Sequence, residues 1–347
     1  MPIYKEVSKI KQIFKFIKML EYPKEKLDVC ILIEKDDLEI QQFLNNQDLP
    51  FYVNVILIPF FQPKTKPKAL NYGINFIKGK YVVIYDAEDI PDAAQLQKAV
   101  KLFDKLSKKY LCIQCRLNFY NTSENIITEC MSVEYSTLFD FYLFGLEYLN
   151  LPILLGGTSN HFRVKELKKI GLWDSYNVTE DAELSIRIYS NKYKIAMLDS
   201  ITLEEAPISI NVFIKQRSRW IKGFLQTFFC YTSNLEYKKF NLKQIIFIIV
   251  NLLFFSLSLF IGPILILSSF FVDIKLLTIN LIIFISYHLL ISLITSKEKL
   301  FNYKYFFASH AYYFLHMFAF VLSIYDLIKK PFHWRKTDHG ISKIKFK

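Results

Sequence analysis

Three short stretches of this 347-residue chain carry acids and cations in patterns that could do chemistry. In the first, Tyr85-Asp86-Ala87-Glu88-Asp89 follows an apolar run, so a strand would deliver Asp86, Glu88 and Asp89 to one loop. Such hard oxygens suit Mg2+ or Mn2+. That ion takes one or two protein carboxylates, fills its remaining positions with diphosphate oxygens, and neutralises charge on a departing nucleoside diphosphate. The bland alternative is a solvated acidic loop. In the second stretch, Thr179-Glu180-Asp181 opens a helical pattern running to Tyr189. Asp181 there could take a proton from an acceptor hydroxyl, or the acids could simply complement the helix dipole. The helix terminus makes a carboxylate a weaker base, whereas burial beneath a substrate makes it a stronger one. In the third, Lys215–Phe229 mixes Arg217, Arg219 and Lys222 with Trp220 and phenylalanines. By itself this is an amphipathic helix for a membrane surface. In a site, Trp220 would be a stacking platform for a sugar, and Arg219 a partner for phosphates or for the acids.

These stretches need elements to hold them. Residues 6–20 place Val7, Ile10, Ile13, Phe14, Ile17 and Leu20 on one helical face. Strands are expected at 27–34, around 51–59, at 81–86 and at 110–119. Between them lie helices over Leu38–Gln47, from Lys66 to a stop at Gly79, and through residues 90–109. This alternation predicts an α/β domain on a mostly parallel sheet, with ligands bound beyond the carboxyl ends of its strands, where Glu34, Asp36 and Asp86 fall. The cysteines are Cys30, Cys112, Cys115, Cys130 and Cys230, an odd and irregular set that argues against a disulfide framework. Cys112 and Cys115 fall on opposite faces of the 110–119 strand, which argues against a metal or redox pair.

From residue 244 the chain changes character. Gln244–Val272 is 29 residues without a charge, broken by Gly262-Pro263, and Leu276–Ser296 is a second uncharged run of 21; each is long enough to span a bilayer. A third run, 305–328, carries Ser309, Tyr312, Tyr313, His316, Ser323 and Asp326 at helical spacing, which predicts an interfacial or cavity-lining helix. Hydrophobic residues make up 52% of the chain and its formal net charge is +12, of which the tail from Lys329 to Lys347 supplies +6 (seven Lys/Arg less one Asp). Two crossings followed by that tail place both chain ends on the cytoplasmic side of the cell (inner) membrane. No basic stripe interleaved with aromatics points to nucleic acid. No apolar signal-peptide core is seen in the first dozen residues.

In order and spacing, KPKALN (66–71), DAED (86–89), GGTSN (156–160), TED (179–181), EEAP (204–207) and QRSRW (216–220) resemble the processive family-2 glycosyltransferases. These are the relatives of cellulose synthase and hyaluronan synthase, and the bacterial exopolysaccharide and cyclic β-glucan branch is the most similar. The resemblance implies a Rossmann-like GT-A catalytic domain (1–215), an amphipathic interface helix (216–240), a membrane region (241–328) and a basic cytoplasmic tail (329–347). It implies an inverting β-transferase that moves glucose or N-acetylglucosamine from a UDP-sugar to a polysaccharide or other glycan acceptor beside a lipid bilayer. In that reading Asp181, with Glu180, is catalytic, and Asp86 and Glu88 hold Mg2+ or Mn2+. Tyr4, Glu6, Glu34 or Asp36, Lys66 or Lys68, Asn71 and Asp86 face the donor. Gly157, Thr158, Gln216, Arg219 and Trp220 face the acceptor, while Trp334, Lys336 and Thr337 resemble a gating segment. One departure stands out. The family's first strand is normally complete and follows upstream membrane helices, whereas here Pro2-Ile3-Tyr4 stands at the start, so the edge of the nucleotide pocket is expected to be incomplete. A non-catalytic membrane-associated scaffold of the same fold is the rival reading.

Overall fold

The computed structural model describes residues 1–233, 240–295, 303–330 and Ser342. In chain order the elements of the first part are β1 (Pro2–Ile3), α1 (Val7–Met19), β2 (Val29–Glu34), α2 (Leu38–Asn45), β3 (Val53–Ile58), α3 (Lys66–Gly73), β4 (Tyr81–Ile84), β5 (Ile90–Pro91), α4 (Gln95–Lys105) and β6 (Tyr110–Phe119). Then come α5 (Ile126–Ser136), α6 (Leu143–Tyr148), β7 (Asn160–Arg163), α7 (Val164–Lys169), α8 (Glu180–Ser190) and β8 (Lys194–Glu204). The helices α9 (Ile210–Ser233), α10 (Leu242–Ile248), α11 (Phe255–Val272), α12 (Ile274–Thr295) and α13 (Tyr303–Lys329) complete the chain.

The chain divides into two compact units, one made of residues 1–118 and 146–204, the other of 119–145 and 205–347. This differs from a boundary at 215, because α5 and its flanks pack with the C-terminal helices.

In the first unit, β1, β2 and β3 form a parallel sheet, with Pro2 opposite Leu32 and Val29 opposite Val53. All six residues of β2 are buried, as expected of a strand covered on both faces. A second sheet runs β4-β7-β6-β8-β5, with β7 antiparallel to both β4 and β6, and β5 antiparallel to β8. The expectation of a mostly parallel sheet is thus corrected to a mixed arrangement. The 156–160 segment leads directly into β7, which lies along β4 in the reverse direction, Ile84 opposite Asn160. Helix α1 buries Ile10, Ile13 and Ile17 in the same core as β2, as its periodicity predicts, whereas Phe16 is buried more deeply than the expected Phe14. Helix α3 ends at Gly73 rather than Gly79. At Gly73 the helix backbone meets Leu32, and an added Cβ would come within 2.7 Å of that side chain. Cys112 and Cys115 are both fully buried in β6, where lost hydration pushes both thiols well above their ordinary pKa.

In the second unit, α9 packs along α13, with Ile221, Leu225, Leu259, Ala319 and Phe320 at the core. Three helical stretches are long and apolar enough to cross a membrane: Leu242–Val272, Ile274–Thr295 and Tyr303–Lys329. The first continues through Pro263, and at Gly262 an added Cβ would collide with the Tyr313 hydroxyl, which donates to the Ser258 carbonyl (3.0 Å). The polar stripe of α13 has a different cause from the expected one. Ser309, His316, Ser323 and Asp326 are buried against protein, while Phe307, Phe318, Val321, Tyr325 and Ile328 are exposed. The outer face of the third stretch is therefore as apolar as a lipid-facing surface requires.

Candidate active site

The carboxyl ends of β2 and β4, the start of α3, the 156–160 turn and the start of α8 supply the charged groups of the first unit. Asp86 leaves β4 two residues after its last strand residue. Its backbone N–H donates to the Asp89 carboxylate (2.5 Å), which also accepts the Thr158 hydroxyl. Asp89 is fully buried. Loss of hydration, reinforced by Asp86, Glu204 and Glu88, holds its carboxyl well above the usual range. Asp89 therefore shapes the turn and is not offered to a ligand. Thr158 is 2% exposed and spends its hydroxyl on Asp89 and on the Ile84 carbonyl (3.2 Å), so it is a brace inside the turn rather than a group an acceptor can touch.

Lys66 joins the loops. Thr65 caps α3 by accepting from the Lys68 N–H, which fixes Lys66 in the first turn. The Lys66 ammonium donates to the Asp86 carboxylate (2.7 Å) and to the Gly157 carbonyl (2.7 Å). Gly157 in turn lies against Asp181, for a Cβ placed on it would stand 3.7 Å from the Asp181 carboxylate. Burial alone would lower the Lys66 ammonium, but Asp86, Glu180 and Asp89 outweigh it and hold the pKa above the ordinary lysine value. Lys66, Asp86, Gly157 and Asp181 are thus brought together, with Glu180 beside them.

The start of α8 differs in detail from the expected capping. Thr179 occupies the N-cap position but makes no side-chain cap bond. Instead the Asn177 side chain accepts from both the N–H (2.9 Å) and the hydroxyl (3.3 Å) of Thr179. Asp181 is half-buried; its carboxylate accepts from the Ala182 N–H (2.9 Å), and Ser185 donates to its carbonyl (2.8 Å).

Other expected donor residues are used differently. Lys68, 2% exposed, pairs with Glu34 at 2.5 Å. Of the paired alternatives, then, Lys66 and Asp36 remain at the open end, while Lys68 and Glu34 neutralise each other inside. Asn71 donates to the Trp173 carbonyl (2.7 Å) and accepts from its N–H (3.1 Å), tying α3 to the 173–175 loop. Tyr4 and Glu6 follow β1, where Lys5 adopts a left-handed backbone (φ 57°).

One group was missed. Glu204 ends β8, and loss of hydration together with Glu88 and Asp86 pushes its carboxyl up to about 8, Lys66 offsetting only part. The acidic Glu204-Glu205 pair after a strand was the available signal. Asp86, Glu88 and Glu204 therefore share one excess of negative charge.

In the second unit, Gln216 and Arg217 are buried on α9. Arg217, which the sequence did not single out as a site residue, pairs with Glu134 of α5 (3.0 Å), and its guanidinium lies 4.2 Å from the centre of the Trp220 ring. Tyr312 donates to the same Glu134 carboxylate. Trp220 also faces Tyr135 at 6.3 Å. Arg219 is half-buried on the same helix. Trp334, Lys336 and Thr337 lie outside the described residues. Ser342, further along the tail, donates its N–H to Glu205 (2.9 Å) and its hydroxyl to Glu124.

Residues 81–325 match the family described as Glycosyl transferase family group 2. The chain belongs to that family. Its fold is GT-A. A probable glycosyltransferase of Bacillus subtilis, YdaM, is 27% identical over 274 residues, 76% of this chain; the match spans 63% of that relative's length. Among solved structures, the mannosyltransferase PcManGT from Pyrobaculum calidifontis, in complex with GDP-Man and Mn2+, superimposes with a TM-score of 0.61 at 15% identity, over 94% of this chain and 86% of the other. TarS of S. aureus in complex with UDP-GlcNAc shows a lower TM-score of 0.44 at 13% identity, over 98% and 96% of the two chains. The match places the chain in a family of glycosyltransferases, and the charged cluster beyond β4 lies within and beside the matched residues.

Proposed function

We propose that this glycosyltransferase inverts the anomeric centre as it moves a sugar from a nucleoside-diphosphate sugar, a UDP-sugar such as UDP-glucose or UDP-N-acetylglucosamine, to a glycan acceptor at the membrane. The observation that carries this reading is the Lys66 bridge. One ammonium holds Asp86 and the Gly157 carbonyl, and Gly157 abuts Asp181. The acid after β4 and the acid opening α8 thereby face one space.

Asp181 accepts the proton of the acceptor hydroxyl as its oxygen attacks the anomeric carbon. The bond from that carbon to the diphosphate oxygen breaks on the opposite face, so one displacement inverts the centre. Lys66 stabilises the departing diphosphate, and its bond to Gly157 keeps the ammonium fixed before the charge develops. The donor set also fits a divalent cation. Among the described residues no three acidic, histidine or cysteine side chains converge as a metal cage. Asp86 and Glu88 are nevertheless two carboxylates whose repulsion already raises Glu204, and an ion completed by diphosphate oxygens needs no more than two. Mg2+ or Mn2+ held there would supply further neutralisation of the leaving group.

The acceptor side is assigned to Gln216, Arg219 and Trp220, and their resemblance to the processive branch supports a polysaccharide acceptor. The apolar outer faces of the C-terminal helices support residence in the cell (inner) membrane. Two crossings are retained, because Ser342 of the basic tail bonds to Glu205 and Glu124 and so shares a side with residues that precede the first crossing. The tail's charge supports the cytoplasm as that side. The test is Asp181→Asn in purified membranes given radiolabelled UDP-sugars and Mn2+. Transfer should fall by a factor on the order of 10²–10⁴, with UDP affinity nearly unchanged. Turnover equal to the native enzyme would remove Asp181 from the reaction.

A further inference from the structure

Residues 149–159 belong to no helix or strand, yet they carry Gly157, whose carbonyl holds Lys66 and which lies against Asp181. With no ladder to pair them, the buried N–H groups of this segment need other partners. Side chains of α8 and β6 supply them. The Ile153 N–H donates to the Tyr189 hydroxyl, the Leu155 N–H to the Ser185 hydroxyl and the Gly156 N–H to the Gln114 amide oxygen, each at 2.8 Å. Tyr189 and Ser185 stand on α8 at four-residue steps from Asp181, so the three share one face of that helix. The pairing keeps a steady register: Ile153 meets Tyr189, Leu155 meets Ser185, and Gly157 meets Asp181. Two residues of extended chain advance about 6.6 Å and four of helix about 6.0 Å, so the two spacings match. Ser185, fully buried, also donates its hydroxyl to the Asp181 carbonyl (2.8 Å). Gln114, fully buried on β6, fixes the segment from the sheet side, for it donates to the Thr158 carbonyl (3.2 Å) as well as accepting from Gly156.

We propose that Ser185 and Tyr189, with Gln114 behind them, are positioning residues for the transfer: they set the register of segment 153–157 along α8, and with it the separation between Asp181 and the Lys66 ammonium that Gly157 holds. This rests on the transferase reading above. The effect of these residues on the reaction passes through Gly157 and Asp181. A slip of one residue would bring residue 156 or 158 against Asp181 and carry the Gly157 carbonyl off Lys66. Ser185 is the central link, because a hydroxyl can accept the Leu155 N–H and donate to the Asp181 carbonyl at the same time. Alanine there strands a buried donor, which regains a partner only if the segment moves. A misplacement of about 1 Å at a reacting centre costs on the order of 10²-fold in rate.

The test is a double-mutant cycle on transfer. Membranes holding each variant are given radiolabelled UDP-glucose or UDP-N-acetylglucosamine, whichever the native enzyme uses, with Mn2+. UDP affinity is titrated on the purified full chain in detergent. Ser185→Ala should lower transfer by about 10–100-fold, with UDP affinity held within about twofold. Ser185→Thr keeps the hydroxyl and should recover most of the loss. In an Asp181→Asn background, Ser185→Ala should cost less than about threefold, because a change felt through the Asp181 carboxylate has little left to lose. Tyr189→Phe removes a single oxygen and should show the same coupling with a smaller loss, so it decides the matter if Ser185→Ala does not fold. Thermal unfolding of each variant is matched to the native protein. Native turnover in folded Ser185→Ala, or losses that multiply in the double variant, overturns the positioning role and leaves the transferase reading in place. Native turnover in Asp181→Asn alone overturns both.

Discussion

Replacing Lys66 by alanine removes the one ammonium that bridges Asp86 and Gly157, and leaves Asp86, Glu88, Asp89, Glu180 and Glu204 without it. The separation from Asp86 is 2.6 Å at its shortest, which at an effective dielectric constant near 20 is worth roughly 6 kcal/mol of attraction. The side chains are 16% and 30% exposed, so water screens the pair, and hydration lost by both groups offsets more of it. A net destabilisation of about 2 kcal/mol is expected, between that of a surface pair and that of a fully buried one. The sign with pH follows from linkage. Lys66 lowers the carboxyl pKa of Glu204 from what it would otherwise be. Without Lys66 the native state holds protons more tightly than the unfolded chain, so stability falls as pH rises. The part of the Lys66→Ala penalty carried by Glu204 should therefore be absent well below pH 8, where this carboxyl is protonated in the native state with or without Lys66, and should grow as pH rises above 8. Thermal unfolding in detergent at several pH values measures it, and the same measurement in an Asp86→Asn background gives the coupling, expected at about 1–2 kcal/mol. A penalty independent of pH, or undiminished when Asp86 is already neutral, would refute the claim that this ammonium holds the site together by charge.

Two further outcomes are expected. Glu204→Gln should stabilise the protein above pH 8 and change little near pH 5. The native carboxyl is held at about 8 against an ordinary 4.5, an upper limit of roughly 5 kcal/mol of strain at high pH. Unfolding curves that shift equally at both pH values would contradict this. Lys68→Met should cost about 3–5 kcal/mol by stranding Glu34 in the interior, whereas Lys68→Met combined with Glu34→Met should recover most of that. Unfolding midpoints of the single and double variants compare the two, and a double variant as unstable as the single would assign Lys68 a role beyond this pair.

Much of the fold is written in short-range pattern. The period of α1, the all-apolar run of β2 and the strand before Asp86 depend on local burial, which the order of residues records directly. The same holds for the uncharged C-terminal runs, since a helix that faces lipid must be apolar on its outer surface. The acids Asp86 and Asp181 could be read too, because each falls at the end of an element whose boundary is itself legible. Which of several neighbouring charges is sealed in the interior could not be read that way. Glu34 and Asp36 are two residues apart, as are Lys66 and Lys68, yet one of each pair is sealed in a buried ion pair and the other stands at the open end. Only the approach of α3 to β2 decides that. Thr158 sits in a motif that suggested contact with substrate, and the antiparallel passage of β7 along β4 turns its hydroxyl onto Asp89 instead. The polar stripe of α13 looked like a surface because spacing tells which residues share a face, but not what that face meets. Packing against α9 makes it an interior. Periodicity and strand ends are properties of consecutive residues. The sharing of charge among Lys66, Asp86 and Glu204 arises between residues up to 138 positions apart in the chain (204 less 66), and for that reason only the tertiary structure decides it.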